Sequence, residues 1–291
     1  MDKTARISLE KVGGLTARTV ARDTPSNAWP TDAPPLVEGG FRAGAEEVER
    51  VVRTEGCAIV MLPTELDDHE LTVATWNLVS AVYKPVSQYE SGELVFPVEV
   101  RPGESGSSHY SASKAAGGFH TDGSLMAQPP AVGVLLCLSP ADSGGETILV
   151  EAELIRRAVA AADPAFPELL GQLQPFAAED DVRDVRQWAP VLSTRDSGVG
   201  LRYLRRYLVA GWERTDRAIP DGLTDAFDVI DKVAGDPEAQ RPHALQRGEV
   251  LFWRNSRYVH GRRAFEEREQ RRRLVRIYGA DDPDRLACQA D

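Results

Sequence analysis

The chain has 291 residues, enough for one large domain with a substantial core, and its 42% hydrophobic content is ordinary for a globular protein. Its formal net charge of −11 argues against a nucleic-acid-binding protein, for which a basic surface patch is expected. It contains no continuous apolar run of about 18 residues, the length of a membrane-spanning helix. Neither nucleic acid nor a membrane is therefore an expected partner.

The cysteine content indicates a reducing compartment. Cys57 and Cys137 lie inside apolar runs and are interpreted as buried small hydrophobes, whereas Cys288 lies near the end of the chain. An odd number of cysteines without regular spacing predicts no disulfide framework. The first residues do not show the basic segment and apolar core of a signal peptide. A cytoplasmic protein is expected.

Residues 1–45 are rich in Pro, Gly, Thr and Asp and are predicted to form an N-terminal arm with one short strand at 5–9. Such an arm packs either over its own core or on a neighbouring subunit, so the sequence leaves a homo-oligomer open. The elements predicted next are a helix at 45–54, a buried strand at 57–62, a helix from Asp67 or Asp68 to about Tyr83, and a strand at 93–100.

A polar loop, residues 102–118, follows this strand and is dense in Gly and Ser. Long polar loops beside a rigid sheet commonly form substrate pockets. His109, Tyr110 and Ser111 lie in this loop and are candidate substrate contacts. A plain Ser-rich surface loop is the alternative interpretation.

The second half of the chain alternates short strands with helices. The pattern predicts strands at 131–138, 146–150, 200–204, 207–209, 250–253 and 274–278, and helices at 151–162, 164–173 and 219–234. In the helix at 151–162, Leu154, Ala158 and Val159 are expected to face inward. The helices suggest an insertion at about 151–235 that covers one sheet. No linker divides the chain, so we predict one domain at 46–280 and a tail at 281–291. Periodicity alone supports a mixed fold with a strand-rich core.

One short motif, Gly118-Phe119-His120-Thr121-Asp122, places an imidazole and a carboxylate two residues apart. Side chains at i and i+2 lie on the same face of a strand, so His120 and Asp122 can reach one metal ion together. Two imidazoles and one carboxylate form the facial triad of non-haem iron(II) oxygenases. His260, which follows the predicted strand at 250–253, is the candidate third ligand.

Two arginines, Arg272 and Arg276, lie beyond His260 on the last predicted strand. Alternation puts them on one face with Leu274, which we take as the inward face, and it leaves Arg271 and Arg273 in solvent. A buried guanidinium needs an anionic partner, and its planar fork suits a carboxylate. A dicarboxylate cosubstrate beside the metal would supply one.

Together these segments resemble the taurine dioxygenase / clavaminate synthase-like superfamily of iron(II)- and 2-oxoglutarate-dependent oxygenases. The matching elements, in the order and spacing of that superfamily, are His120-x-Asp122, Gly144-Gly145-Glu146-Thr147, His260 and Arg272-x-x-x-Arg276. They extend over residues 117–276, more than half of the chain. The resemblance does not identify a substrate.

The resemblance implies a mainly β (α+β) fold, with a double-stranded β-helix (jelly roll) core and peripheral helices. It also implies Fe(II), 2-oxoglutarate and O2 as cofactor and cosubstrates. By position, Thr147 and Arg272 match the residues that bind the far carboxylate of 2-oxoglutarate, and Arg276 serves either 2-oxoglutarate or the substrate. Related halogenases have a small residue where this chain has Asp122, which favours oxygen transfer over halogenation. Asn255 is expected either to cap a turn or to support the metal ligands.

The expected activity is hydroxylation of an unactivated C–H bond of a small polar metabolite, an amino acid or a derivative, with release of succinate and carbon dioxide. Desaturation, cyclisation, epoxidation or demethylation at the same site is an alternative. Two other classes stay open at this point. One is a jelly-roll binding protein without turnover. The other is a hydrolase that uses the same ligands for another divalent metal, although it leaves the arginine pair unexplained.

Overall fold

A computed structural model describes residues 5–8, 39–89, 92–100, 113–179, 184–195 and 198–282. The helices of this part of the chain are α1 (Gly39–Glu55), α2 (Asp68–Val82), α3 (Ala152–Ala162), α4 (Phe166–Gly171), α5 (Arg205–Glu213) and α6 (Leu223–Gly235). Its first strands are β1 (Ala5–Ser8), β2 (Cys57–Met61), β3 (Lys84–Val86), β4 (Val95–Glu99), β5 (Gly117–His120), β6 (Val132–Ser139), β7 (Ser143–Gly144) and β8 (Thr147–Glu151). Those that follow are β9 (Leu173–Phe176), β10 (Gln187–Pro190), β11 (Leu192–Arg195), β12 (Gly198–Leu201), β13 (Arg241–His243), β14 (Glu249–Arg254), β15 (Tyr258–Arg262), β16 (Phe265–Glu266) and β17 (Arg273–Ala280).

The larger sheet has the strand order β1-β2-β14-β6-β17-β3, and β4 also pairs with β17. Its centre is antiparallel, with β14 hydrogen-bonded to both β2 and β6. These strands are continuous apolar runs, as expected for strands covered on both faces. Gly133 lies opposite Trp253, and a Cβ atom on Gly133 would come within 2.2 Å of the indole ring. Glycine therefore makes room for the largest fully buried side chain of the core.

The smaller sheet has the order β13-β8-β15-β5, and all of its pairs are antiparallel. The inner faces of the two sheets enclose a buried apolar core that includes Leu135, Leu251 and Leu274 from the larger sheet and Leu149 from the smaller one. Two sheets packed face to face around one core form the predicted mainly β jelly roll. The fold prediction is confirmed.

Helices α1 and α2 cover the outer face of the larger sheet, where Val52, Leu71 and Leu78 pack into one buried cluster with strand residues. Helix α2 begins with a capping box: the Asp67 side chain accepts a hydrogen bond from the Glu70 N–H, and the Glu70 side chain accepts one from the Asp67 N–H. Two amide groups that the helix itself leaves unpaired are thereby satisfied.

The segment from α3 to α6 covers the outer face of the smaller sheet. Ile155, Phe227 and Ile230 pack there against Val150 and Val259. The predicted division of the chain into arm, domain and tail stays a prediction. His109, Tyr110 and Ser111 lie outside the described residues, as do residues 9–38 of the arm and 283–291 of the tail.

Two local predictions were wrong. In α3 Val159 is buried as predicted, but Leu154 is 40% exposed and Ile155 takes the inward position instead. One residue along a helix corresponds to a rotation of about 100° about its axis, so the buried face lies about that far from the expected one. Residues 207–209 belong to α5 and not to a strand. An apolar run of three residues cannot distinguish a strand from one turn of a buried helix. No strand was predicted for several short segments, among them β3, β9, β10, β11 and β13.

Among the residues that the structure describes, no helix combines the length and the apolar character needed to span a membrane.

Candidate active site

Three polar side chains meet at one edge of the smaller sheet. His120 on β5 and His260 on β15 are directly opposite each other in the antiparallel ladder, and their ring centroids are 4.3 Å apart. The Asp122 Oδ2 atom lies 3.5 Å from His260 Nε2, and Oδ1 lies 3.8 Å from His120 Nε2. One donor atom from each residue falls within 4.8 Å of the others. The structure thus brings together the three residues predicted from the motifs.

Strand β5 ends at His120, so Asp122 is placed by the turn that follows and not by strand alternation. Asn255 holds this turn. Its Oδ1 accepts a hydrogen bond from the Asp122 N–H at 2.8 Å, and its Nδ2 donates to the carbonyls of Asp122 and Pro130. Asn255 was expected either to cap a turn or to support the metal ligands. In the structure its side chain hydrogen-bonds to the backbone of Asp122, the carboxylate ligand. An amide is suited to this position because it donates and accepts at once.

The two carboxylate oxygens of Asp122 have different surroundings. Tyr278 donates its hydroxyl hydrogen to Oδ1, and an Arg276 nitrogen lies 3.9 Å from the same atom. Oδ2 is buried and has no hydrogen-bond partner. Burial raises the pKa of Asp122, but the basic groups around it and the Tyr278 hydroxyl outweigh burial and hold that pKa below its ordinary value. The residue is therefore an ionised carboxylate with one oxygen available to a metal.

The imidazoles are suited to the same ion. Burial lowers the pKa of His260 to about 3, more than the Asp122 charge raises it, so the ring is neutral at physiological pH. His120 Nδ1 lies 2.9 Å from the Gly118 carbonyl oxygen, which fixes the tautomer whose Nε2 carries a lone pair. Two imidazoles and a carboxylate oxygen without a partner fit an iron(II) facial triad.

A pocket rich in arginine adjoins the triad. Thr147, the first residue of β8, and Arg272 are 4% and 5% exposed. An Arg272 nitrogen donates to the Gly145 carbonyl at 3.3 Å. Gly145 has a φ of +74°, and a Cβ atom there would lie 3.1 Å from Arg272 Nε. Glycine is suited to both requirements of this turn, the left-handed backbone and the close approach of the guanidinium.

Arg262 also lines this pocket and was missed in the sequence analysis. It lies two residues after His260 on β15, so strand alternation could have indicated it. Burial lowers the pKa of Arg262 to about 10. Burial, and then the charge of Arg262, lower the pKa of Arg272 to about 10. Both guanidiniums are therefore still charged at neutral pH.

Arg276 lies beside Asp122 and is also hydrogen-bonded to two residues of the cavity wall, Gln88 and Tyr89. Its Nε donates to the Gln88 side chain at 2.7 Å, and another of its nitrogens donates to the Tyr89 hydroxyl at 3.0 Å. Burial lowers the pKa of Arg276, but the neighbouring Tyr278, Asp122 and Tyr89 outweigh burial and raise that pKa above its ordinary value. Neighbouring Arg273 points away from the cavity and pairs with Asp68 at 2.7 Å.

The triad and the arginines line one cavity of about 940 Å³. Its other walls come from the α5 region and from the turn after β5, and sequence motifs gave no signal for them. These wall residues include Glu179, Arg186, Arg206, Tyr207, Leu125 and Met126. Among the described residues the arginines of the lining outnumber the carboxylates, which are Asp122 and Glu179.

A jelly roll with two imidazoles and a carboxylate at its open edge, next to buried arginines, defines the class of non-haem iron oxygenases. The chain belongs to one family of that class: residues 40–278 match the model of the taurine catabolism dioxygenase TauD, TfdA family. It is an iron(II)- and 2-oxoglutarate-dependent dioxygenase. The predicted superfamily and enzyme class are confirmed.

Curated relatives share part of the sequence. The chain is 26% identical over 245 residues to a uridine-5′-phosphate dioxygenase of a Streptomyces species, covering 79% of this chain and 87% of that protein. It is 29% identical over 157 residues to a uridine-5′-phosphate dioxygenase of an Amycolatopsis species, covering 52% and 55%.

Solved structures share the fold. Asparagine oxygenase in complex with Fe(II), 3-hydroxyasparagine and succinate superposes with a TM-score of 0.68 at 18% identity, covering 86% of this chain and 85% of that one. The non-haem iron oxygenase OrfP in complex with iron and 2-oxoglutarate superposes with a TM-score of 0.64 at 17% identity, covering 86% and 82%.

Proposed function

We propose that the enzyme hydroxylates an unactivated C–H bond of a small, negatively charged metabolite and converts 2-oxoglutarate to succinate and carbon dioxide. The observation that carries this proposal is the position of the His120, Asp122 and His260 donor atoms. They lie within 4.8 Å of one another in a cavity whose remaining charged residues are mostly arginines.

In this proposal His120 Nε2, Asp122 Oδ2 and His260 Nε2 hold the iron. The bound metal supplies the activation of O2, which protein side chains cannot provide. The protein orients its ligands: Asn255 fixes the Asp122 backbone, and the Trp253 ring lies 4.9 Å from the His260 ring. Because the protein would supply only three ligands, the other coordination positions would stay open for the cosubstrates.

Thr147 and Arg272 are assigned to the far carboxylate of 2-oxoglutarate. A hydroxyl and a guanidinium can satisfy both oxygens of a carboxylate, and both residues line the cavity beside the triad. Arg276 is assigned to the substrate, because it is held by Gln88 and Tyr89 of the cavity wall and the cosubstrate carboxylate already has Arg272.

Nucleoside 5′-monophosphates are the first substrate candidates. The curated relatives act on uridine 5′-phosphate, and the excess of arginine in the lining favours an anionic substrate beyond 2-oxoglutarate. Amino acids are the second candidates, because the similar folds of asparagine oxygenase and OrfP are known in complex with hydroxylated amino acids.

Which of the possible reactions takes place at the substrate carbon depends on how the substrate is positioned next to the metal. Desaturation, cyclisation and epoxidation need the same metal site. Desaturation and oxidative cyclisation remove two hydrogen atoms, so the mass of the product separates them from hydroxylation. Epoxidation adds one oxygen atom, as hydroxylation does, and is separated from it by the bonding of the product. Location in the cytoplasm belongs to the proposal and is supported by the free, buried thiols of Cys57 and Cys137. A homo-oligomer stays a prediction.

The metal site is tested by anaerobic titration with Fe(II) and 2-oxoglutarate. We expect a weak visible charge-transfer band for the wild-type protein and none for His260→Ala, because the variant loses a ligand. His69→Ala, which changes an exposed histidine on α2, should keep the band. A band that persists in His260→Ala would contradict the assignment of the triad.

The substrate class is tested by release of succinate in the presence of candidate substrates. Nucleoside 5′-monophosphates should stimulate succinate release, whereas the nucleosides without phosphate should not, because the anion is lost. Stimulation by amino acids alone would replace the first candidates with the second.

A further inference from the structure

Two arginines, Arg262 and Arg272, share one buried corner of the cavity. The guanidinium carbon of Arg262 lies 4.9 Å from the centroid of the Phe265 ring, and that of Arg272 lies 5.1 Å from the same centroid. Phe265 is 5% exposed, so the ring is a buried surface against which both cations lie. Two like charges are thus held beside one aromatic ring.

The contacts that hold these side chains do not neutralise them. An Arg262 nitrogen donates to the carbonyls of Ser113 and Ala115, and an Arg272 nitrogen donates to the carbonyl of Gly145. The Nε atom of Arg262 is buried and has no hydrogen-bond partner. Within the described residues, neither guanidinium forms an ion pair with a carboxylate. Arg272 is buried and Arg262 is partly buried. The Glu267 carboxylate accepts a hydrogen bond from the Arg272 backbone N–H and forms no ion pair with either guanidinium in the described structure. Holding two like charges together in this way is costly, and a bound anion would relieve the cost.

Strand register places Arg262 at the cosubstrate pocket. Arg262 on β15 is the direct partner of Thr147 on β8, and the same ladder pairs His260 with Leu149. Residues that lie directly opposite in an antiparallel pair have Cβ atoms about 5 Å apart on the same face. Thr147 and Arg262 both line the cavity. The Arg262 side chain therefore leaves the backbone beside Thr147, whose hydroxyl is assigned to the far carboxylate of 2-oxoglutarate.

We infer that Arg262 is a second guanidinium of the subsite that binds the far carboxylate, alongside Arg272 and Thr147. This inference rests on the proposed function, since it assumes that 2-oxoglutarate binds between the triad and Phe265. Arg262 would act on the carboxylate through its charge and its unpaired Nε–H. One of its two terminal nitrogens would stay hydrogen-bonded to the Ser113 and Ala115 carbonyls.

The test compares two ligands that differ only at the far end. 2-Oxoglutarate and 2-oxopentanoate have the same chain length, but the second lacks the far carboxylate. Their affinities for the Fe(II)-loaded protein are measured under anaerobic conditions from the charge-transfer band, without turnover. The wild-type protein should prefer 2-oxoglutarate by on the order of 100-fold. Arg262→Met should reduce this preference by about tenfold, and the affinity for 2-oxopentanoate should not change.

Three variants control the measurement. Arg272→Met should reduce the preference as well, and Arg263→Met, at an exposed neighbouring position, should leave it unchanged. Arg262→Lys keeps the charge without the planar fork and should give an intermediate value, which covers the case that Arg262→Met does not fold.

Two results would overturn the inference. If Arg262→Met or Arg262→Lys weakens both ligands by the same factor, Arg262 only anchors the loop before β5 through Ser113 and Ala115. If the wild-type protein binds both ligands equally well, the cosubstrate pocket assigned to Arg272 and Thr147 is itself wrong, and the inference falls with it.

Discussion

At the scale of single residues, the site depends on the different roles of the two carboxylate oxygens of Asp122. Oδ1 is occupied by the Tyr278 hydroxyl, and Oδ2 has no partner and lies 3.5 Å from His260 Nε2. A carboxylate that is hydrogen-bonded through one oxygen presents the other to a metal, and groups that orient ligands in this way affect metal affinity. Tyr278 lies two residues after Arg276 on β17. The sequence analysis named Arg276 as a candidate site residue and did not name Tyr278.

Replacing Tyr278 with phenylalanine should weaken Fe(II) binding by about 10- to 100-fold, because Asp122 can then rotate and lose its orientation. Anaerobic titration with Fe(II) measures the affinity. Tyr258→Phe is the matched control, since the Tyr258 hydroxyl is also buried but donates to the Glu55 carbonyl, away from the metal site. Equal Fe(II) affinity in Tyr278→Phe and Tyr258→Phe would show that the contact with Asp122 does not orient the ligand.

At the scale of elements, α5 is the helix that forms a wall of the cavity through Arg206 and Tyr207. It approaches β9 closely at Gly211. A Cβ atom on Gly211 would lie 2.2 Å from the Pro175 carbonyl oxygen, far inside van der Waals contact. Backbone cannot move aside as a flexible side chain can, so this helix-to-strand distance requires glycine.

Gly211→Ala should therefore lower the free energy of unfolding by about 1–3 kcal/mol, as overpacking of a close contact does. Gly235→Ala is the matched control, because Gly235 ends α6 with nothing within 4 Å of an added Cβ atom. That change should be neutral or stabilise by up to about 1 kcal/mol. Urea unfolding compares the two. A tolerated Gly211→Ala would show that α5 does not pack on Pro175 as closely as described.

At the scale of the whole molecule, Asp68 joins three distant segments. This first residue of α2 accepts a hydrogen bond from Arg247, just before β14, at 2.6 Å, and pairs with Arg273 of β17 at 2.7 Å. Burial raises the pKa of Asp68, but the two guanidiniums outweigh burial and hold that pKa below its ordinary value. A carboxyl group whose pKa is lower in the folded state stabilises the fold above the pKa of the unfolded chain.

Asp68→Asn should lower the free energy of unfolding at pH 7 by about 0.5–1 kcal/mol, because water screens this partly exposed group. The difference from wild type should shrink as the pH falls below about 4, where the carboxyl group of the unfolded chain takes up its proton. Urea unfolding at several pH values measures it. Asp221→Asn, at an exposed position without an ion pair in the described structure, is the control and should show little change at any pH.

The sequence by itself determined the chemistry. His120, Asp122 and His260 were selected from motifs and their spacing, and Thr147 and Arg272 from the family resemblance. Apolar periodicity predicted most of the described helices and most of the described strands of five or more residues, but few of the shorter strands. Those features are local, or they reflect an order along the chain that relatives share. Leu154 and residues 207–209 were misplaced because the direction of a helix face and the state of a very short apolar run depend on what packs against them.

Only the tertiary structure decided how the site is assembled. His120 and His260 are 140 residues apart in the chain and become neighbours through the β5–β15 register. Asn255 reaches the Asp122 backbone, Arg262 comes to lie opposite Thr147, and α5 supplies a wall, through contacts between distant segments. The physical reason is that local periodicity shows which face of a strand is buried, whereas strand register and packing distance are set by the combined fit of side chains from all the segments that meet in the core.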